Sequence, residues 1–126
     1  MHDSHITINN PKSLRRGNVA KKSTIGVKIW IRSLDTLVQE LELDNAVLKI
    51  DCEGCEYDVL LYSKEDTLNA FSEILCEYHY GSDKLVSKLK KIGFEIEELK
   101  ESRFFYNPNS DVPLTQVGTF LARKKT

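Results

Sequence analysis

Leu48-Lys49-Ile50-Asp51-Cys52-Glu53-Gly54-Cys55-Glu56-Tyr57-Asp58-Val59-Leu60 is the stretch around which the rest of the chain organises itself. The apolar run that leads into it, Ala46 to Ile50, has the length and composition of a buried parallel strand. The run stops at Asp51, Gly54 supplies a turn, and a helix can start in the residues from Tyr57 to Tyr62. This is a strand, a polar loop and a helix within seventeen residues, the opening of a βαβ unit.

Working outward, Val27 to Arg32 alternates apolar and polar residues as a half-buried strand does. Ser33 can cap a helix carrying Leu34, Leu37, Val38 and Leu41 on one face, and Asp44-Asn45 breaks it. On the other side, Glu73 to His79 reads as a second buried strand. Ser82 then caps a helix with Leu85, Val86, Leu89 and Ile92 on one face, and Gly93 ends it. Two strands, about 94–99 and 117–123, close the chain. A loop holding Asn107-Pro108-Asn109 and Pro113 joins them, and with no helix between them they are expected to be antiparallel neighbours. The expected fold class is therefore α/β, with parallel strands, helices and a C-terminal antiparallel strand pair. Residues 1–26 lack a period and are punctuated by Pro11, Gly17 and Gly26, so they read as an irregular basic segment with a short strand at His5 to Ile8. The regular domain spans 27–126.

With 126 residues, 40% of them hydrophobic and 29% charged, the chain fits one globular domain. No apolar run approaches the roughly 20 residues that span a bilayer, and no secretory h-region opens the sequence. A cytoplasmic location and no membrane partner are the expectation. A formal charge of −1 supplies no global field to recruit nucleic acid. The basic residues Lys12, Arg15, Arg16, Lys21 and Lys22, and the tail Arg123-Lys124-Lys125, read as solvated charge. Three cysteines is an odd count, and their apolar neighbours point to reduced, mostly buried thiols rather than a disulfide framework.

In an open α/β sheet, ligands bind beyond the carboxyl ends of the parallel strands. The first strand end delivers Asp51, Glu53 and Glu56, and the second delivers Glu77 and His79. Carboxylates crowded on one rim raise one another's proton affinity, which suits acid/base work or the holding of a cation. Asp51, Glu53, Glu77 and His79 are the candidate catalytic residues, while Glu56 reads as a negative charge at a helix N-terminus. A rival pattern shares these segments. Cys52, Cys55, Cys76 and His79 have the residue types and spacing of a zinc site. Against that, Cys76 and His79 are an odd number of positions apart and point to opposite faces if both lie in one strand.

The segments Ser33-Leu34-Asp35-Thr36-Leu37 and Leu48 to Leu60 resemble the FkbM methyltransferases, whose hallmarks are "T-L-D-x-L" and "L-K-I-D-V-E-G-A-E" followed by "V-L". Ser33 stands for the usual Thr. Cys52 and Cys55 stand where small apolar residues are usual, which favours packing over zinc. Glu77-Tyr78-His79 resembles the family's "E-x-H", and Lys91-Ile92-Gly93-Phe94 its "L-x-x-x-G-F"; the resemblance runs from about 27 to 123. It implies the second half of a Rossmann-like methyltransferase sheet, with Asp51 and Glu53 ending its fourth strand and Glu77 and His79 its fifth. It also implies S-adenosylmethionine as methyl donor and a hydroxyl of a sugar or other small molecule as acceptor, with His79 or Asp51 as base.

The Gly-rich turn on which such enzymes seat the cofactor has no counterpart, since no G-x-G occurs in the sequence. The expectation is a protein incomplete or inactive alone, completed by a second copy or a complementary polypeptide. A non-catalytic interaction module on the same fold, and the small zinc domain, are the alternatives. Without a neighbour, the strand 46–51 would present an open edge prone to pair with another chain.

Overall fold

The structure, a computed structural model, describes residues 4–8, 26–111 and 114–126. These fall into two compact units, one within His2–Ser33 and one spanning Leu34–Thr126. The first is a hairpin of β1 (Ser4–Ile8) and β2 (Val27–Ile31), antiparallel, with Ser4 opposite Ile31 and Ile8 opposite Val27. The strand at 27–31 is thus present, but it pairs with β1 instead of entering a parallel sheet, and it is more open than its alternation suggested. Val27 is 63% exposed and Trp30 77%. Alternation fixes the pleat of a strand and leaves its hydrogen-bonding partner undetermined. The basic residues from Lys12 to Lys22 lie outside the described residues.

The second unit runs α1 (Leu34–Glu40), β3 (Ala46–Ile50), α2 (Cys55–Tyr62), α3 (Glu65–Asn69), β4 (Phe71–Tyr78), α4 (Asp83–Lys91), β5 (Phe94–Tyr106) and β6 (Leu114–Lys124). Its sheet has the order β3-β4-β6-β5. β3 and β4 are parallel, whereas β6 is antiparallel to both its neighbours. The expected parallel pair and the C-terminal antiparallel pair are both there, in one mixed sheet. Among the described residues β3 pairs only with β4, so it is an edge. That explains why it alternates instead of being buried throughout, with Val47 65% exposed and Ile50 buried.

The core lies between this sheet and its helices. α4 presents Leu85 and Leu89, one turn apart on the same face and fully buried. Its last turn carries Lys88, Lys90 and Lys91, where the helix dipole favours cations. The Lys88 ammonium donates to the carbonyls of Leu61 and Ser63, at 2.8 and 2.7 Å, and so ties α4 to the end of α2. Burial pulls the pKa of that ammonium down. α3, which no sequence signal announced, is fastened at its start by Asp35, whose carboxylate accepts from the Lys64 backbone N–H and the Thr67 hydroxyl. Burial opposes the charge on Asp35, but these two donors together with the positive charge of Lys64 lower its pKa.

In the middle of the sheet Gly118 on β6 stands opposite Tyr78 on β4. A Cβ at position 118 would lie 2.5 Å from Tyr78 Cζ, so the ring occupies the space that any side chain would need. The buried Tyr78 hydroxyl donates to Glu98 at 2.7 Å, a bond that, after burial, adds to the rise in its pKa.

Candidate functional site

Ile50 of β3 is the register partner of Cys76 of β4. One residue further along each chain, Asp51 and Glu77 therefore sit side by side where the two parallel strands finish. β4 ends at Tyr78, which frees His79 from the strict strand alternation and lets its ring turn back to the same rim. His79 Nε2 lies 3.8 Å from Asp51 Oδ1. One ligand-type atom from each of Asp51, Glu77 and His79 falls within 4.8 Å of the others. Three of the four candidate residues are thus brought together. Glu53 shares the loop but stands exposed in the turn, outside that cluster.

The turn itself is tight. Glu53 has φ 52° and Gly54 φ 119°, two successive left-handed positions for which glycine at the second is the economical choice. This reversal brings the Cα atoms of Cys52 and Cys55 to 5.4 Å, and the two cysteines form a disulfide within the span that a bridge needs. The expected reduced thiols are corrected here. Apolar neighbours argued for buried sulfur, but the folded turn leaves Cys55 exposed and places its sulfur on that of Cys52. Cys76 alone fits the expectation, free and fully buried. Burial, helped by the negative charge of Glu56, pushes its thiol pKa up to about 12. Among the described residues Cys52, Cys55, Cys76 and His79 therefore do not converge as a zinc ligand set.

Glu56 proves to be more than a helix-start charge. It is fully buried, and its two oxygens accept three hydrogen bonds. Oε2 takes the Gly54 N–H at 2.8 Å, while Oε1 takes the His79 backbone N–H at 3.0 Å and faces His79 Nδ1 at 2.9 Å. A buried carboxylate is tolerated only when its lone pairs are used in this way. An Nδ1–H donated to Glu56 fixes the tautomer and leaves the Nε2 lone pair facing Asp51.

The neighbouring Tyr57 secures the other half of the rim. Its hydroxyl accepts from the Tyr80 N–H at 2.7 Å and donates to the Gly81 carbonyl at 2.5 Å. Burial, and next the charge on Glu56, raise its pKa. Gly81, at φ 82°, donates its N–H to the Gln116 carbonyl at 2.9 Å. Beside this clamp opens a cleft of about 400 Å³ lined by Tyr57, Tyr80, Gly81, Asp83, Lys84 and Gln116. It adjoins the residue that follows His79 and is large enough for a small polar molecule.

The family model of the methyltransferase FkbM domain matches residues 3–113. The chain belongs to the FkbM methyltransferase family. No curated protein and no solved structure matches it significantly. For this FkbM-family chain, the motif residues from Leu48 to Leu60 thus carry both the sequence likeness and the strand-end geometry. Two residues that support the site, Glu56 and Tyr57, had not been singled out for it. The signal for Glu56 was the last letter of its own motif, an acid placed one residue into a helix whose start must be buried to pack.

Proposed function

We propose that this chain serves methyl transfer from S-adenosylmethionine to a hydroxyl group of a sugar or other small molecule, with Asp51, Glu77 and His79 on the acceptor side. The observation that supports it best is the convergence of these three side chains at the ends of the two parallel strands, with the His79 ring held by a buried carboxylate. The donor supplies an electrophilic methyl on a positively charged sulfur. His79 Nε2 accepts the proton of the acceptor hydroxyl as its oxygen becomes the nucleophile. Asp51, 3.8 Å away, favours the imidazolium that results, and Glu56 keeps the ring oriented while the charge develops. The carboxylates of Asp51 and Glu77 suit a sulfonium electrostatically. The adenosine end is different, since the sequence holds no G-x-G turn and the fit to the whole cofactor is incomplete. In this reading a second polypeptide surface completes the platform, the sheet is the later half of a Rossmann-like fold, and the protein acts in the cytoplasm.

The test is transfer of isotope-labelled methyl to a panel of sugars and hydroxylated metabolites, alongside calorimetric titration with S-adenosylmethionine. The reading expects weak or no donor binding by the chain alone, and transfer, once a complementing partner is present, that falls at least about a hundredfold in His79→Gln, the low end for a lost general base. Transfer unaffected by His79→Gln would sink the assigned roles, and micromolar donor binding by the chain alone would sink the incomplete platform.

A second reading, an interaction module without catalysis, draws on the open edge of β3 with its exposed Val47. An unpaired strand edge is a template for another chain.

A further inference from the structure

We propose that Asp51, Glu77 and His79 form a binding site for one divalent cation of the Mn2+ type. The inference deepens the proposed role of the strand-end site, yet cation binding itself does not depend on methyl transfer taking place.

Two carboxylates and one imidazole nitrogen converge to within 4.8 Å of each other. With the His79 ring neutral all three offer lone pairs, and among the described residues no lysine or arginine forms an ion pair with Asp51 or Glu77. Three acceptors facing one point repel unless something positive lies among them. The histidine is not merely present. Its Nδ1 is engaged by Glu56, a fully buried side chain on a different element, which also fixes the His79 backbone N–H. A carboxylate behind the distal nitrogen of a histidine is the arrangement that orients metal ligands and raises their basicity. Besides accepting the backbone N–H groups of Gly54 and His79, Glu56 thereby aims Nε2 at the rim opening.

The donor set selects the ion. Two hard oxygens and one imidazole suit Mn2+ and similar six-coordinate ions, with Mg2+ a poorer match because it favours all-oxygen surroundings. A tetrahedral structural zinc needs a fourth protein ligand, and the nearby cysteines do not provide one, since Cys52 is bridged to Cys55 and Cys76 is buried in the core. Asp51 is 44% exposed and the His79 side chain 15%, so one side of the cluster opens to solvent. Three protein ligands leave open positions there for water or for a hydroxylated ligand. A cation so placed would occupy His79 Nε2 and take over its part as base, lowering the proton affinity of a bound hydroxyl whose proton then passes to the free oxygen of Asp51 or to water.

The experiment is titration of the whole chain with Mn2+, following loss of the free-ion electron paramagnetic resonance signal, with circular dichroism confirming that each variant is folded. Wild type is expected to take up one Mn2+ per chain. Asp51→Asn and Glu77→Gln, shape-preserving changes at partly exposed positions, are expected to remove that uptake. Glu56→Gln should weaken it by about 10- to 100-fold, as loss of an outer-sphere partner does. Absence of saturable uptake by folded wild type up to about 1 mM, the weak end for oxygen-rich sites, would overturn the proposal. So would uptake that survives both Asp51→Asn and Glu77→Gln. Because the readout is binding alone, a chain that binds Mn2+ but transfers no methyl group even with its complementing partner present would refute the methyl-transfer reading and leave this one standing.

Discussion

Replacing Glu56 tests the central physical claim about the site, that one buried carboxylate holds the rim together. In Glu56→Ala three donors lose their acceptor: the backbone N–H groups of Gly54 and His79, and His79 Nδ1. The imidazole is 15% exposed and can turn to water, so the lasting cost falls on the two backbone groups. Each buried orphan costs about 1–3 kcal/mol, and the lost packing of one methylene adds about 0.8 kcal/mol. Water entering the hole recovers part of this, so the expected loss is about 4 kcal/mol, near the top of the range for single substitutions. Glu56→Gln keeps the shape. Its carbonyl oxygen can still serve His79, but the amide NH2 then meets the Gly54 N–H donor to donor, a loss of about 2 kcal/mol. Urea denaturation should therefore rank wild type above Gln above Ala. Melting should fall by about 4 °C per kcal/mol for a chain of this size. An alanine variant within about 1 kcal/mol of wild type would show that the three bonds do not hold the rim together.

Other expectations follow the same lines. Gly118→Ala should destabilise by about 1–3 kcal/mol, because the Tyr78 ring fills the space; an unchanged urea midpoint would contradict that packing. In thiol titration the native, non-reduced chain should show no rapidly reacting cysteine, since Cys52 and Cys55 are bridged and burial holds Cys76 at about 12; three should react after reduction and unfolding. Reducing the bridge should cost about 2 kcal/mol on chain-entropy grounds, given the very short loop it closes. Asp35, with its folded pKa lowered, stabilises the fold at pH values above its unfolded pKa, and that contribution disappears as pH falls through the folded value. Asp35→Asn should accordingly flatten the acid limb of the stability profile, and an unaltered limb would remove Asp35 from the account. If the β3 edge recruits a partner, light scattering should detect association that Val47→Lys reduces; a clean monomer at high concentration would exclude it.

The βα stretch from Ala46 to Leu60 was legible because it carries two signals at once, an apolar run of strand length and a glycine at the reversal. The β4–α4 unit and the closing antiparallel pair were legible for similar reasons. Other features depended on partners distant in sequence. Val27 to Ile31 has the pattern of a strand, but nothing in that pattern names β1 as its neighbour. α3 is only five residues long and rests on an acceptor, Asp35, that lies 29 positions before Lys64. For the site, the rule that ligands gather at parallel strand ends was enough to select Asp51, Glu77 and His79. It admitted Glu53 as well, because position in a loop does not tell which way a side chain leaves a turn with two left-handed residues. Glu56 does sit in the first turn of α2 and accept the Gly54 N–H, as a helix-start acid does, but its further acceptor role depends on His79, 23 positions away.

The closing hairpin extends further than the sheet that supports it. β4 meets β6 only as far as Gly118, whereas β5 and β6 remain paired out to Tyr106 and Leu114. Beyond that point the ladder is a two-stranded ribbon, and Phe104, Phe105 and Tyr106 are 65%, 53% and 73% exposed. A ribbon of two strands cannot hold itself closed in water as a wider sheet does. Its amides from Arg103 to Tyr106 should exchange with solvent by local opening, at rates set by that fraying. Those of Ile74 to Cys76, enclosed by strands on both sides, should wait for the whole domain to unfold. The molecule therefore carries a gradient of persistence along a single hairpin, anchored at one end in the core and free to breathe at the other.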